Sequence, residues 1–130
     1  MKKAMAACAG FMAFTSAASA HHSFALFDMT RIESVSGTVA EIQWSNPHCW
    51  VDLMAPDSSG ALVKWRFEGA SPNVLVRMGW TKDTLKVGDK ITVSTFPFRD
   101  GTIGGALRGV TLADGRELPA YNYPRADPGQ

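Results

Sequence analysis

Histidine is the residue type in this chain whose spacing points most directly to a chemical role. The 130-residue sequence contains three histidines, His21, His22 and His48. If the chain is cut after Ala20, His21 becomes the first residue and offers its α-amine and its ring Nδ1 to one metal ion as a chelate. The His48 imidazole would complete a three-nitrogen site, with His22 as the replacement ligand if His48 cannot reach. Such nitrogens rank highest for copper among divalent metals, so the pattern predicts a Cu(II) site.

A simpler interpretation gives these histidines no ligand. His21 and His22 are then the first residues of a frayed terminus, and His48 caps a turn through Asn46-Pro47. Asp28 or Asp52 could add oxygen ligands to a metal, but we expect each to be a solvated surface carboxylate. Both interpretations stay open on the sequence alone.

The first twenty residues have the three parts of a secretory signal peptide. Lys2 and Lys3 form a positive end, residues 4–14 are apolar, and residues 15–20 are small and finish in an Ala-x-Ala pattern. The apolar run is too short to span a bilayer, and a lipid anchor on Cys8 is not expected because only seven residues precede it. We therefore expect residues 1–20 to be removed after Ala20. The protein would be periplasmic or secreted, with no membrane anchor after cleavage.

Composition and charge exclude several classes of protein. Hydrophobic residues make up 45% and charged residues 19%, as in an ordinary globular domain. Without Lys2 and Lys3 the chain has 11 basic residues against 12 acidic ones, so it lacks the basic excess that nucleic acid binding requires. Cys49 would be the one thiol of the exported chain, and it is expected to be buried or paired between molecules.

Hydrophobic alternation predicts three strands in succession, at residues 31–44, 48–55 and 61–68. The first changes its apolar parity near Gly37, which indicates a bulge. Side chains alternate along a strand, so the second should bury Cys49, Val51 and Leu53, and the third should bury Val63, Trp65 and Phe67.

The opposite face of the second and third strands is a candidate binding surface. It should present His48, Trp50 and Asp52 beside Lys64 and Arg66. An OB barrel binds ligands on these two strands. Trp50, Asp52, Lys64 and Arg66 therefore form a candidate ligand face.

The remaining elements complete a recognisable order. Ser71 stands before Pro72 as a capping hydroxyl and Gly79 suits a helix end, which predicts a helix over Ser71–Gly79 with Trp80 closing the barrel end. Two further strands follow at 91–98 and 106–112. The predicted fold is all-β with one short helix, a five-stranded OB-like Greek-key barrel (β-β-β-α-β-β) of antiparallel strands over 21–118, with a Pro-rich tail at 119–130. A plain β-sandwich or another small barrel is the alternative.

No catalytic set is evident. His48 and Cys49 are neighbours on one strand and point to opposite faces, so they cannot act as base and nucleophile. Ser71 suits a helix cap better than a nucleophile, and the G-x-S-x-G pattern is absent. No catalytic residue is predicted, and enzyme activity is not favoured. Two hypotheses remain: a copper-binding protein, or an OB-type ligand or protein interaction module that uses the Trp50 face without metal or catalysis.

Short motifs spread over the chain resemble one family. They are His21-His22-Ser23-Phe24, Asn46-Pro47-His48-Cys49-Trp50, Glu68-Gly69-Ala70-Ser71-Pro72-Asn73, Gly79-Trp80 and Gly88-Asp89. Together they resemble domain-of-unknown-function family 6152, a family of small exported bacterial proteins. The resemblance implies no activity, ligand or site residue.

Overall fold

Six strands and one short helix form the fold of residues 25–120, the part of the chain that the computed structural model describes. They are β1 (Glu33–Gln43), β2 (Trp50–Pro56), β3 (Leu62–Glu68), α1 (Pro72–Arg77), β4 (Lys90–Pro97), β5 (Gly104–Thr111) and β6 (Glu117–Pro119). The predicted order β-β-β-α-β-β is confirmed, and β6 follows it.

The sheet closes into a barrel. The strand order is β3-β2-β1-β4-β5-β6, and β3 also pairs with β5. This closing pair is parallel, with Phe67 opposite Gly105, so the prediction that all strands are antiparallel is wrong at this seam. The other strand pairs are antiparallel.

Strand β1 is long because it serves two neighbours. Its first half pairs with β4 and its second half with β2. The register shifts between Val39 and Glu41, close to the predicted position at Gly37. A Cβ on Gly37 would lie 2.5 Å from the Met54 carbonyl oxygen, so a residue with a side chain would push the two strands apart.

The barrel interior contains most of the predicted core. The fully buried side chains include Val39, Cys49, Val51, Leu53, Phe67, Leu75 and Val93. Val63 and Trp65 were predicted to be buried with them, but both are half-buried. They precede the residues of β3 that pair with β5, so that pairing does not cover this end of the strand.

The helix, Pro72–Arg77, lies inside the predicted range Ser71–Gly79, but its cap differs from the prediction. Ser71 makes no side-chain capping hydrogen bond. In a capped helix the Ser71 hydroxyl would accept a hydrogen bond from the Val74 N–H. Here the Val74 N–H donates to the Ser71 carbonyl oxygen at 3.0 Å. Gly79 has the positive φ (93°) expected after a helix end.

The segment before β1 is held on the outer wall of the barrel. The Asp28 N–H donates to the Pro97 carbonyl at 2.8 Å, and the Leu26 carbonyl accepts from the Arg99 N–H at 2.9 Å. Phe27 is 3% exposed. It belongs to a second apolar cluster with Phe96, Ala106, Phe98 and Met29. The N-terminal segment is therefore anchored at the end of β4.

The structure extends the domain beyond its predicted end. Pro119 was predicted to open a tail, but it ends β6, and Ala120 is fully buried. The Trp80 Nε1 donates to the Pro119 carbonyl at 2.7 Å, and Trp80 itself is buried as expected. The predicted signal peptide, His21, His22 and residues 121–130 lie outside the described residues. Within 25–120, no helix has the length and apolar character that crossing a membrane requires.

Candidate functional site

The structure places the four residues of the predicted ligand face together. Asp52 is directly opposite Arg66 in the β2–β3 ladder, with Trp50 two residues before Asp52 on β2 and Lys64 two residues before Arg66 on β3. Cys49, Val51 and Leu53 point into the core, as the alternation predicted. We call the surface formed by Trp50, Asp52, Lys64 and Arg66 the Trp50 face.

Arg66 is fixed over the indole of Trp50. Its guanidinium carbon lies 4.6 Å from the centre of the ring, a cation–π contact. The same guanidinium donates to the Gln43 side-chain oxygen at 3.2 Å. The Gln43 amide donates in turn to Glu41 at 3.0 Å. A stacked arginine and tryptophan of this kind suit a binding surface, because both residue types are enriched among the residues that dominate interfaces.

Asp52 is buried, which corrects the expectation of a solvated carboxylate. Its side chain is 2% exposed. Lys64 Nζ lies 3.4 Å from one carboxylate oxygen and Arg66 Nε lies 3.9 Å from the other. Neither oxygen has a hydrogen-bond partner among the described residues. The strand alternation correctly assigned Asp52 to the outer face, but the long side chains of the neighbouring strand lie against it and exclude water.

His48 lies two residues before β2, at the end of β3. Its Nδ1 is 3.0 Å from the Gly69 carbonyl oxygen and 3.4 Å from the Glu68 carboxylate. A carbonyl oxygen can only accept, so Nδ1 carries the proton and Nε2 of the neutral ring keeps its lone pair. The side chain is 35% exposed. The contact that holds His48 is thus with Gly69 and not with the Asn46-Pro47 turn, and it leaves Nε2 free.

The N-terminal segment and His48 lie at different places on the barrel. Their positions can be compared with a row of directly paired residues that runs across β4, β5, β3 and β2. These residues are Pro97, Gly105, Phe67 and Val51, in that order. Leu26 is bonded to Arg99, two residues to one side of this row, and His48 lies three residues to the other side. Leu26 and His48 are therefore on opposite sides of this row.

Within residues 25–120 no three His, Cys, Asp or Glu side chains come together as a metal site. Asp28 belongs to the N-terminal segment, and Asp52 faces Lys64 and Arg66.

Cys49 is buried and lies on the opposite side of the strand from the Trp50 face. Its exposed fraction is 2%. Burial raises the pKa of the thiol, and a weak contact with the Ser45 carbonyl opposes this only in part. The thiol is therefore not activated as a nucleophile.

Sequence reasoning missed Glu68 and Gln43 as parts of this surface. Glu68 has the same parity as Lys64 and Arg66, so alternation along β3 could have indicated its position. Gln43 joins the surface through the β1–β2 register, which the sequence does not show.

The fold and its outer face define a small closed β-barrel of OB-like order, with an Arg-Trp stack and a buried carboxylate on its wall. The chain belongs to the Family of unknown function (DUF6152), whose model matches residues 9–108 and confirms the resemblance seen in the motifs. No curated protein and no solved structure matches the chain.

Proposed function

We propose that the protein is exported and binds one Cu(II) ion per chain in its mature form. The ligands are the His21 α-amine and ring nitrogen and the His48 Nε2, with His22 as the alternative imidazole. One observation carries the proposal: His48 is already held as a metal-ligating histidine would be. Ligating histidines donate their second ring N–H to a carbonyl or carboxylate, which fixes the ring and its tautomer.

The surroundings of His48 support this role. The ring is partly exposed, so an ion can reach Nε2 from solvent. Glu68 is 15% exposed and faces the protonated Nδ1 side of the ring, where a carboxylate helps to fix the orientation of a ligating histidine. Amine and imidazole nitrogens favour copper over the other divalent metals. Export would be accompanied by cleavage after Ala20, which makes His21 the first residue.

A copper titration of three proteins tests the proposal. They are the chain that starts at His21, the same chain with one Met before His21, and His48→Ala. We expect the two altered proteins to bind Cu(II) at least about tenfold more weakly, because each lacks one nitrogen ligand. Arg108→Gln is the control, since Arg108 is exposed and contacts Ser94 on a different part of the barrel. Equal affinity in all proteins would show that the site does not exist. Intact mass of the exported protein establishes its first residue.

The Trp50 face favours a second candidate function, an OB-type module that binds a ligand or a protein without metal. Arg66 stacked on Trp50, above a buried Asp52, is an ordered polar and aromatic surface of the kind that interfaces use. Photo-crosslinking residues at positions 41 and 90 would compare this face with another one, because Glu41 is exposed and contacts Gln43 at the edge of the Trp50 face. We expect an adduct from position 41 alone, which disappears in Arg66→Gln. Equal crosslinking from both positions would argue against the Trp50 face.

A further inference from the structure

We infer that the free edge of β3, at residues 62–65, is a docking site for an extended segment of a partner protein that alternates acidic and apolar residues. The segment adds a strand to the sheet, which is a recurring mode of peptide recognition. This site adjoins the Trp50 face but is formed by the backbone edge of β3. It therefore goes beyond both proposed functions and does not depend on copper.

Strand β3 is paired with β5 along only part of the edge that faces away from β2. The pairing covers residues 66–68, and the Arg66 N–H donates to the Ile103 carbonyl oxygen where the pairing begins. Backbone groups alternate in direction along a strand, so the N–H and C=O of Leu62 and Lys64 point to the same side as those of Arg66. Among the described residues no strand lies opposite them. Two donors and two acceptors are therefore open to an added strand.

The inward side chains at this edge are covered less than those further along β3. Phe67, which lies opposite β5, is fully buried, whereas Val63 and Trp65 point to the same side and are half-buried. The Trp65 Nε1 is buried and has no hydrogen-bond partner in the part of the chain that the structure describes. A buried donor without a partner is uncommon in native proteins. The barrel wall is thus incomplete where β5 is missing, and apolar side chains of an added strand would cover Val63 and Trp65.

The outward side chains beside the free edge determine the charge of the partner. Lys64 and Arg66 are 54% and 43% exposed. They are two cations against the single carboxylate of Asp52, so this group carries one surplus positive charge. Opposite charges across neighbouring strands stabilise the pairing and like charges destabilise it. Because side chains alternate along a strand, acidic residues of the added segment meet the cations while its apolar residues face inward.

Two short peptides of opposite charge test the inference. The probe is Glu-Val-Glu-Val-Glu with blocked ends and a fluorescent label, and Lys-Val-Lys-Val-Lys has the same pattern with the opposite charge. Fluorescence anisotropy measures the affinity of each peptide for the protein. We expect the acidic peptide to bind at least about tenfold more tightly than the basic one. Lys64→Glu should abolish this preference, and Lys82→Glu, a charge reversal at an exposed lysine outside the strands, should leave it unchanged.

Leu62→Pro tests the backbone edge without a change of charge. Leu62 is the first residue of β3 and its N–H lies on the free edge, so proline removes one donor there and leaves the β2–β3 hydrogen bonds in place. We expect this variant to keep the native circular dichroism spectrum and to bind the acidic peptide about fivefold more weakly, the effect of one lost hydrogen bond. In the native protein, hydrogen exchange at the Lys64 amide should slow when the acidic peptide is bound.

Three results would each overturn the inference. They are no binding of the acidic peptide, equal affinity for the two peptides, and a Lys64 amide that exchanges at the same rate with and without the acidic peptide. Absence of binding would instead make Lys64 a charge that protects an open strand edge from pairing. None of these results changes the copper titration, so the docking site and the copper function succeed or fail separately.

Discussion

Removing the charges of Lys64 and Arg66 tests what stabilises the buried carboxylate of Asp52 in the Trp50 face. The perturbation is the double variant Lys64→Met/Arg66→Met. Methionine keeps most of the unbranched length and has no hydrogen-bond donor, so the carboxylate stays covered while its compensating charges are lost. The side chain is 2% exposed and neither oxygen accepts a hydrogen bond within residues 25–120, so the two cations supply its stabilisation.

The distances give the expected magnitude. At an effective dielectric constant of about 20, a charge at 3.4 Å contributes about 5 kcal/mol and one at 3.9 Å about 4 kcal/mol before screening. Lys64 and Arg66 are 54% and 43% exposed, so solvent screens each pair to about 1 kcal/mol net. Each single variant should therefore lose about 1 kcal/mol. The double variant leaves a buried charge with no partner and should lose about 3–5 kcal/mol, more than the two single losses together.

Urea unfolding followed by tryptophan fluorescence measures these free energies. Adding Asp52→Asn to the double variant removes the uncompensated charge and should restore more than half of the lost stability. Lys82→Gln/Lys86→Gln, a pair of exposed lysines outside the strands, is the control and should change stability by less than about 0.5 kcal/mol. The reasoning fails if the double variant loses no more than its two singles together, or if Asp52→Asn restores nothing.

Three further predictions concern other parts of the structure. Glu68→Gln should weaken Cu(II) binding by about tenfold, since Glu68 faces the protonated nitrogen of His48, while Glu41→Gln should not change the affinity. Cys49 should react with a thiol reagent only when the protein unfolds. Burial raises the pKa of the Cys49 thiol in the folded protein, so the unfolded chain loses this proton first as pH rises. The free energy of unfolding should therefore fall as pH rises from the ordinary thiol pKa towards the raised one. Trp80→Phe should cost about 1–3 kcal/mol in urea unfolding, because the Pro119 carbonyl loses its donor; an unchanged midpoint would contradict this role.

The strand faces could be predicted because they follow from local alternation. The positions of Val51 and Leu53 inside, and of Lys64 and Arg66 outside, need only the period of two along a strand. The degree of burial could not be predicted in the same way. Asp52 is on the expected face but is covered by side chains of β3, and that depends on the β2–β3 register.

The pairing of β3 with β5, which closes the barrel, could not be predicted from local sequence patterns. The parallel pair of β3 and β5 joins residues about forty positions apart, such as Phe67 and Gly105. Strand β6 has three residues, too few to show alternation, and its Pro119 favoured a tail. Both features are determined by long-range contacts and not by the sequence within each segment.

The same distinction decides how far the histidines could be interpreted. Residue type and a predicted cleavage site are enough to nominate His21 and His48 as ligands. The state of His48 depends on the Gly69 carbonyl, 21 residues further along the chain, because that contact places the proton on Nδ1 and frees Nε2. A ligand set nominated from sequence spacing therefore needs the fold before the state of each ligand is known.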